Sequence, residues 1–266
     1  MGLPTGGCGE SDGSNGGDTL DRLDELASSV AEITLAAEHG AWFYGFDELA
    51  RPGEQVELVV RLKTAKLQAV EGALVKFYRA GDLLADVRTD GEGEARLDWQ
   101  APAEPGTYEV RARLASVPEQ HDQKMTEASA ASLLLSVQPA DARFVVIDLD
   151  HTLVGSGFSK VLLGTAQPMR GAEAVVGHIV DAGSRLVYLT HRPDLLGKKS
   201  KVWLERHGFP RAPVQVSAFS QAIGDSGEFK TGRLKSLRES FPGRGMGIGD
   251  KVSDAQAYVD NGMTAY

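Results

Sequence analysis

The chain of 266 residues is 42% hydrophobic and 24% charged, which suits a buried core in one large domain or two modest ones. No run approaches the roughly 18 apolar residues of a membrane-spanning helix. The single cysteine excludes an intrachain disulfide framework and argues against a Cys-rich zinc site, and the net charge of -9 argues against nonspecific nucleic-acid binding. The charge is divided unevenly: residues 1–140 carry 12 basic and 24 acidic side chains, residues 141–266 carry 16 and 13, giving -12 and +3. An anionic ligand meets less resistance at the C-terminal half.

Residues 1–40 are predicted to form a flexible tether. Their first part, MGLPTGGCGESDGSNGGD, is too rich in Gly, Ser, Asp and Asn to offset its chain entropy by burial. A short helix is expected after Thr19 as N-cap, with Leu20, Leu23 and Leu26 at helical spacing. The segment Leu3 to Cys8, LPTGGC, faintly resembles the end of a bacterial lipoprotein signal, in which the cysteine becomes the lipid-modified N-terminus. No basic or apolar region precedes it, so that reading needs a start upstream of Met1; the alternative is an unreactive cysteine in a disordered tail. The cell envelope is the expected location, slightly ahead of the cytoplasm.

Residues 41–139 alternate with period two in seven runs, AWFYGF, QVELVVRL, ALVKFYRA, LLADVRT, EARLDW, TYEVRARL and SLLLSV. Turn chemistry at Arg51-Pro52-Gly53, Thr89-Asp90-Gly91 and Glu104-Pro105-Gly106 separates some of them, and the pattern predicts an antiparallel β-sandwich. The order PGEQVEL, GALVKFYRAG, VRTDGEGEARLDW, EPGTYEVRARL resembles bacterial immunoglobulin-like domains, which implies a spacer or binding module. It contains no cluster of His, Asp or Ser suited to catalysis.

In residues 140–266 the period changes. RFVVIDLD is nearly continuous in apolar residues until its two carboxylates, as in a strand buried on both faces. Helices near 171–182, 194–207, 229–241 and 253–261 alternate with the strands RLVYLT, VQVSAF, GMGIGD and a final MTAY. A doubly wound α/β domain is expected, with its ligand at the carboxyl ends of the strands.

Chemistry-bearing residues fall at those ends. Asp148 and Asp150 project to the same side of one strand end and would repel each other without a hard cation or a shared proton; a solvated turn is the plain alternative. Asp250, after a second strand, adds an oxygen ligand suited to Mg2+, and Asp254 either supports that site through water or is a favourable acid in a helix's first turn. Thr190 ends a third strand with a hydroxyl for an anion. Lys230 opens a helix where it could neutralise a carboxylate and a phosphate, with Lys235 as competitor.

DLDHT, LVYLT, the Lys of EFKTG and GDKVSD, in that order, resemble the four motifs of the haloacid dehalogenase-like phosphatases. The resemblance implies that Asp148 is the nucleophile that becomes an aspartyl-phosphate and Asp150 the general acid/base. It also implies that Thr190 and Lys230 hold phosphoryl oxygens. Mg2+ would be bound by Asp148, the backbone carbonyl of Asp150, Asp250 and Asp254. His191 and Arg192 are further candidates for substrate contact, a solvated loop being the alternative.

The stretches between Thr152 and Leu186 and between Thr190 and Lys230 are too short for a large cap, which leaves the site open to a bulky substrate. PMRGAEAVVGHIVDAGSRLVYLTHRP with VWLERHGFPRAPVQVS resembles lipin-type phosphatidate phosphatases, although His151 stands where such sequences commonly have Gly. The chain also ends at Tyr266 inside the last expected strand, so a further C-terminal element is anticipated. The expected function is a Mg2+-dependent phosphomonoesterase acting on phosphatidate or a related lipid phosphate. The rivals are a phosphatase for a protein or nucleic-acid phosphate, and a non-catalytic envelope binding protein that uses the sandwich. Lys198, Lys199 and Lys201 are expected on a solvated helix face, a lipid surface being the alternative, and Trp203 is expected in the core.

Overall fold

The computed structural model describes residues 37–155, 166–218 and 226–266. The expectations for Cys8 and for the helix after Thr19 lie outside these residues.

All seven alternating runs are strands: β1 (Ala41–Gly45), β3 (Gln55–Thr64), β4 (Leu74–Arg79), β5 (Asp82–Arg88), β6 (Glu94–Gln100), β7 (Gly106–Ser116) and β8 (Ala131–Val137). The structure adds β2 (Glu48–Ala50), which is too short for alternation to register. In β3 the inward Leu58, Val60 and Leu62 are fully buried while Gln55 and Glu57 on the other side are exposed. Strands β1, β3 and β6 make one sheet, and β2, β8, β7, β4 and β5 make a second. Phe43, Val60 and Leu62 from the first and Phe77, Val110 and Leu133 from the second share one apolar core, which removes their side chains from water.

One expectation needs correction. The unit is not wholly antiparallel, since β2 pairs with β8 in parallel. The chain passes from β1 through Phe46 and Asp47 into the other sheet without a hairpin reversal. Thr89-Asp90-Gly91 is likewise a crossing between sheets, from β5 to β6. Thr89 Oγ1 donates to Val70 O (2.6 Å) and accepts from Ala73 N (2.9 Å), and Asp90 Oδ1 accepts from the backbone of Glu92 and Glu94, so local polar groups fix the corner.

The second half forms a five-stranded parallel sheet of β9 (Phe144–Ile147), β10 (Arg185–Pro193), β11 (Val214–Ser217), β12 (Gly245–Ile248) and β13 (Thr264–Ala265), in the order β11-β10-β9-β12-β13. Helices α1 (Ala172–Asp181) and α2 (Gly197–Arg206) cover one face, with Val176, Trp203 and Leu204 against Val145, Ile147 and Tyr188. Helices α3 (Ser226–Ser240) and α4 (Val252–Asp260) cover the other, with Leu234, Phe241 and Tyr258 against Phe144, Val146 and Leu189. Strand order reverses about β9, which opens a crevice at its carboxyl end between β10 and β12. The α/β expectation is met, with β10 running three residues past its expected end at Thr190.

The two halves are packed together. The buried carboxylate of Asp47 accepts from Leu134 N (2.7 Å), Lys201 Nζ (2.5 Å) and Val214 N (2.9 Å), and Arg61 pairs with Asp194. Residues 37–266 thus form one compact unit, and the first half is not a detached spacer. Lys201 turns toward it and is largely covered, while Lys198 meets Glu38 and Ser129 in it at the exposed rim of the contact. Trp203 is buried as expected, its Nε1 donating to Ala166 O at 2.9 Å. Among the described residues no helix is long and apolar enough to cross a membrane.

Candidate active site

Asp148 follows the fully buried β9 and is held at its backbone, where its N–H donates to Ile248 O at 2.9 Å. The residue is 4% exposed. Lys230, in the second turn of α3, is equally hidden and donates from Nζ to Asp148 Oδ1 at 2.7 Å and to Asp254 Oδ1 at 2.6 Å. One ammonium thereby bridges the ends of β9 and the start of α4. Lys235, the competing lysine, is exposed on the same helix.

The Asp148 carboxyl is pushed up to about 6, chiefly by burial, with Lys230 opposing the rise and Asp254 and Asp150 adding to it. Burial acts to lower the Lys230 ammonium, but Asp148 and Asp254 outweigh it and hold that group above its ordinary value.

Asp254 approaches the site only because residue 249 is glycine. A Cβ at Gly249 would lie 2.6 Å from Asp254 Oδ2 and 2.7 Å from its Cβ. Gly247 makes the same allowance for the ring of Tyr258, whose hydroxyl donates to Ile248 O at 3.2 Å. Asp148, Asp254 and the exposed Asp250 each offer a carboxylate oxygen, all within 4.8 Å of one another. The second oxygen of Asp254 is buried with no hydrogen-bond partner, a costly state for an anionic group unless a cation meets it. An oxygen-only set with an unsatisfied carboxylate oxygen fits a hard divalent ion such as Mg2+.

The side chain of Asp150 is outside that group. Arg192 donates to it from Nε (to Oδ2, 2.8 Å) and from Nη2 (to Oδ1, 2.7 Å), and from Nη1 to Ser200 Oγ at 2.9 Å. Arg192 is 2% exposed, so it is neither a solvated loop residue nor an open phosphate clamp. The extension of β10 past Thr190 draws its side chain inward. Thr190, also buried, directs its hydroxyl to Asp150 Oδ2 at 3.4 Å. His191 is half-buried, its ring 5.7 Å from that of Phe229. His151 sits at the left-handed φ of 61°, a conformation that favours glycine, and donates from its backbone N to Val154 O.

The structure therefore joins Asp148, Lys230, Asp254 and Asp250 in one cluster, and Asp150, Thr190 and Arg192 in an adjoining one. Sequence reading missed Ser200, eight positions beyond Arg192 on a helix, and Gly249; the alternating glycines of GMGIGD were the available signal for the latter.

A family model described as "PITM 1-3, LNS2 domain" matches residues 145–264, somewhat under half of the chain. Human membrane-associated phosphatidylinositol transfer protein 2 is 33% identical over 85 residues, covering 32% of this chain and 6% of that protein. The rat membrane-associated phosphatidylinositol transfer protein 1 is 27% identical over 182 residues, covering 66% of this chain and 12% of that protein. The chain thus spans only a small part of the length of these curated relatives. Among solved structures, a D,D-heptose 1.7-bisphosphate phosphatase from B. bronchiseptica, complexed with magnesium and phosphate, has a TM-score of 0.38 and 13% identity, covering 46% of this chain and 78% of that one.

Proposed function

We propose that residues 140–266 are a Mg2+-dependent phosphomonoesterase acting through an aspartyl-phosphate on a lipid phosphate such as phosphatidate. The observation that carries this is the pairing of buried Asp148 with buried Lys230 beside an Asp254 oxygen that lacks a partner. Lys230 fixes Oδ1 of Asp148, which leaves Oδ2 as the atom to attack phosphorus. As that bond forms, the ester P–O bond breaks and the leaving oxygen takes a proton from Asp150. Asp150 then accepts a proton from the water that cleaves the acyl phosphate, restoring Asp148 and releasing inorganic phosphate. Lys230 offsets the repulsion between a carboxylate and an anionic ester. A divalent ion held by Asp148, the Asp150 carbonyl, Asp250 and Asp254 would add Lewis-acid stabilisation of the phosphoryl charge.

The lipid part of the reading is supported by the matched LNS2 family and by relatives named for membrane association and phosphatidylinositol transfer. Those names also favour a second reading, in which the same site binds a lipid phosphate without turnover. Residues 41–139 are proposed as an immunoglobulin-like module of a protein of the cell envelope. The test is a panel of phosphatidate vesicles, nucleotides and phosphopeptides assayed with Mg2+ or EDTA. Release of phosphate from phosphatidate alone is expected. Binding of phosphatidate vesicles with no phosphate release would replace the enzyme by a receptor, and release from the other esters would move the substrate class.

A further inference from the structure

The segment Arg192–Lys201 carries the guanidinium that grips Asp150, and it is fastened at both ends to the two-sheet half of the protein. Near its start, Asp194 is buried and paired with Arg61 of β3, while its Oδ1 accepts from Leu195 N at 2.8 Å. At its end, Lys201 donates to Asp47 Oδ1 at 2.5 Å and to Ser132 O at 2.9 Å. Asp47 also accepts from Val214 N, and its backbone carbonyl from Gln215 Nε2 at 2.7 Å, so the same residue anchors the edge strand β11. Between the two fastenings stands Ser200, fully buried, whose hydroxyl accepts from Arg192 Nη1. Lys201 and Ser200 are neighbours on α2. A displacement of that helix moves the oxygen that holds one end of the guanidinium, while the other end holds Asp150.

We infer that the two-sheet half is a working part of the site: Asp47 and Arg61 are positioning residues that act through Arg192–Lys201 to aim the carboxylate of Asp150. The inference rests on the phosphatase reading for its kinetic consequence but not for its structural one. Side-chain placement within a fraction of an ångström governs turnover more than affinity, so a loosened anchor lowers kcat and leaves KM in place. The backbone around Asp150 offers a direct reporter. Its amides are held by His151 N to Val154 O, Leu153 N to Leu149 O and Val154 N to Leu149 O.

The experiment compares full-length wild type with Asp47→Asn, Arg61→Gln, Ser200→Ala and Arg211→Gln. Arg211 pairs with Glu109 and so also joins the two halves, but it touches no part of the segment. Amide hydrogen exchange of residues 149–154 is expected to quicken about tenfold in the first three variants and to stay at the wild-type rate in Arg211→Gln. With an accepted ester, kcat is expected to fall about tenfold or more and KM to stay within about twofold. Ser200→Ala, which removes one hydroxyl from a helix, keeps the test decisive should Asp47→Asn not fold.

Wild-type exchange at 149–154 in folded Arg61→Gln and Ser200→Ala overturns the inference. So does equal loosening in Arg211→Gln, or faster exchange with unchanged kcat. A wild type that turns over no ester defeats the phosphatase reading, and the exchange data then decide the coupling alone.

Discussion

Lys230 joins Asp148 to Asp254, reaching the first at 2.7 Å and the second at 2.6 Å from one ammonium group. Asp148 follows strand β9 and Asp254 lies in the first turn of α4, so a single helix residue holds the two walls of the crevice at a fixed separation. Removing it should be felt in stability as well as chemistry. Lys230→Met leaves buried carboxylates without their counter-ion, and a loss of about 3–5 kcal/mol is expected from urea denaturation of the metal-free protein. A loss below about 1 kcal/mol would show that the bridge is not formed in solution.

Asp148→Asn tests the nucleophile. Turnover of any accepted ester should drop by about a thousandfold or more, because an amide cannot form the acyl phosphate. The melting temperature should change little, since Lys230 keeps Asp254. Residual activity near that of the wild type would move the nucleophile elsewhere.

Metal binding should register without any assay of activity. Millimolar Mg2+ is expected to raise the melting temperature by a few degrees, EDTA to reverse it, and Asp254→Asn to abolish the response. Gly249→Ala should do the same by pushing Asp254 aside, at a cost of about 1–3 kcal/mol. Retention of the full Mg2+ response by both variants would remove Asp254 from the ligand set.

Stability should depend on pH through Glu48, where the first half meets the second. Burial pushes this carboxyl up to about 7 from an ordinary 4.5, with Arg233 opposing and Asp47 adding to the rise. The folded state therefore binds this proton more tightly than the unfolded chain. Its contribution is fully present below about 4.5 and is lost as pH rises through about 7. Glu48→Gln should remove this dependence and stabilise the protein at pH 8 by about 1–3 kcal/mol. Parallel pH–stability curves for variant and wild type would contradict it.

Much of this architecture was legible before any coordinates. Alternation is clearest in β3 and β7, which have one wet and one dry face, and the continuous apolar run before Asp148 marked a strand covered on both. Carboxylates placed directly after such runs have few structural uses, which is why Asp148 and Asp250 stood out. Lys230 was singled out from Lys235 by the motif resemblance alone, because only the packing of α3 decides which lysine faces inward. Arg192 looked like a free cation because its partners are distant in sequence, Asp150 on another strand and Ser200 on a helix. Asp47 carries no sequence signal of its role. Nothing local announces that its acceptors are committed to residues 134, 201 and 214.

That commitment bears on how the protein is made. Asp47 leaves the ribosome early, while two of its three donors belong to the last third of the chain. Until they arrive, its charge is best left in water, and a prematurely closed first half would have to hold it with Leu134 N alone. Final closure therefore awaits the α/β strands, and the whole of residues 37–266 should melt in one cooperative transition, with a single calorimetric peak. By this one carboxylate, a protein whose sequence divides cleanly into two composition classes should behave as a single folding unit.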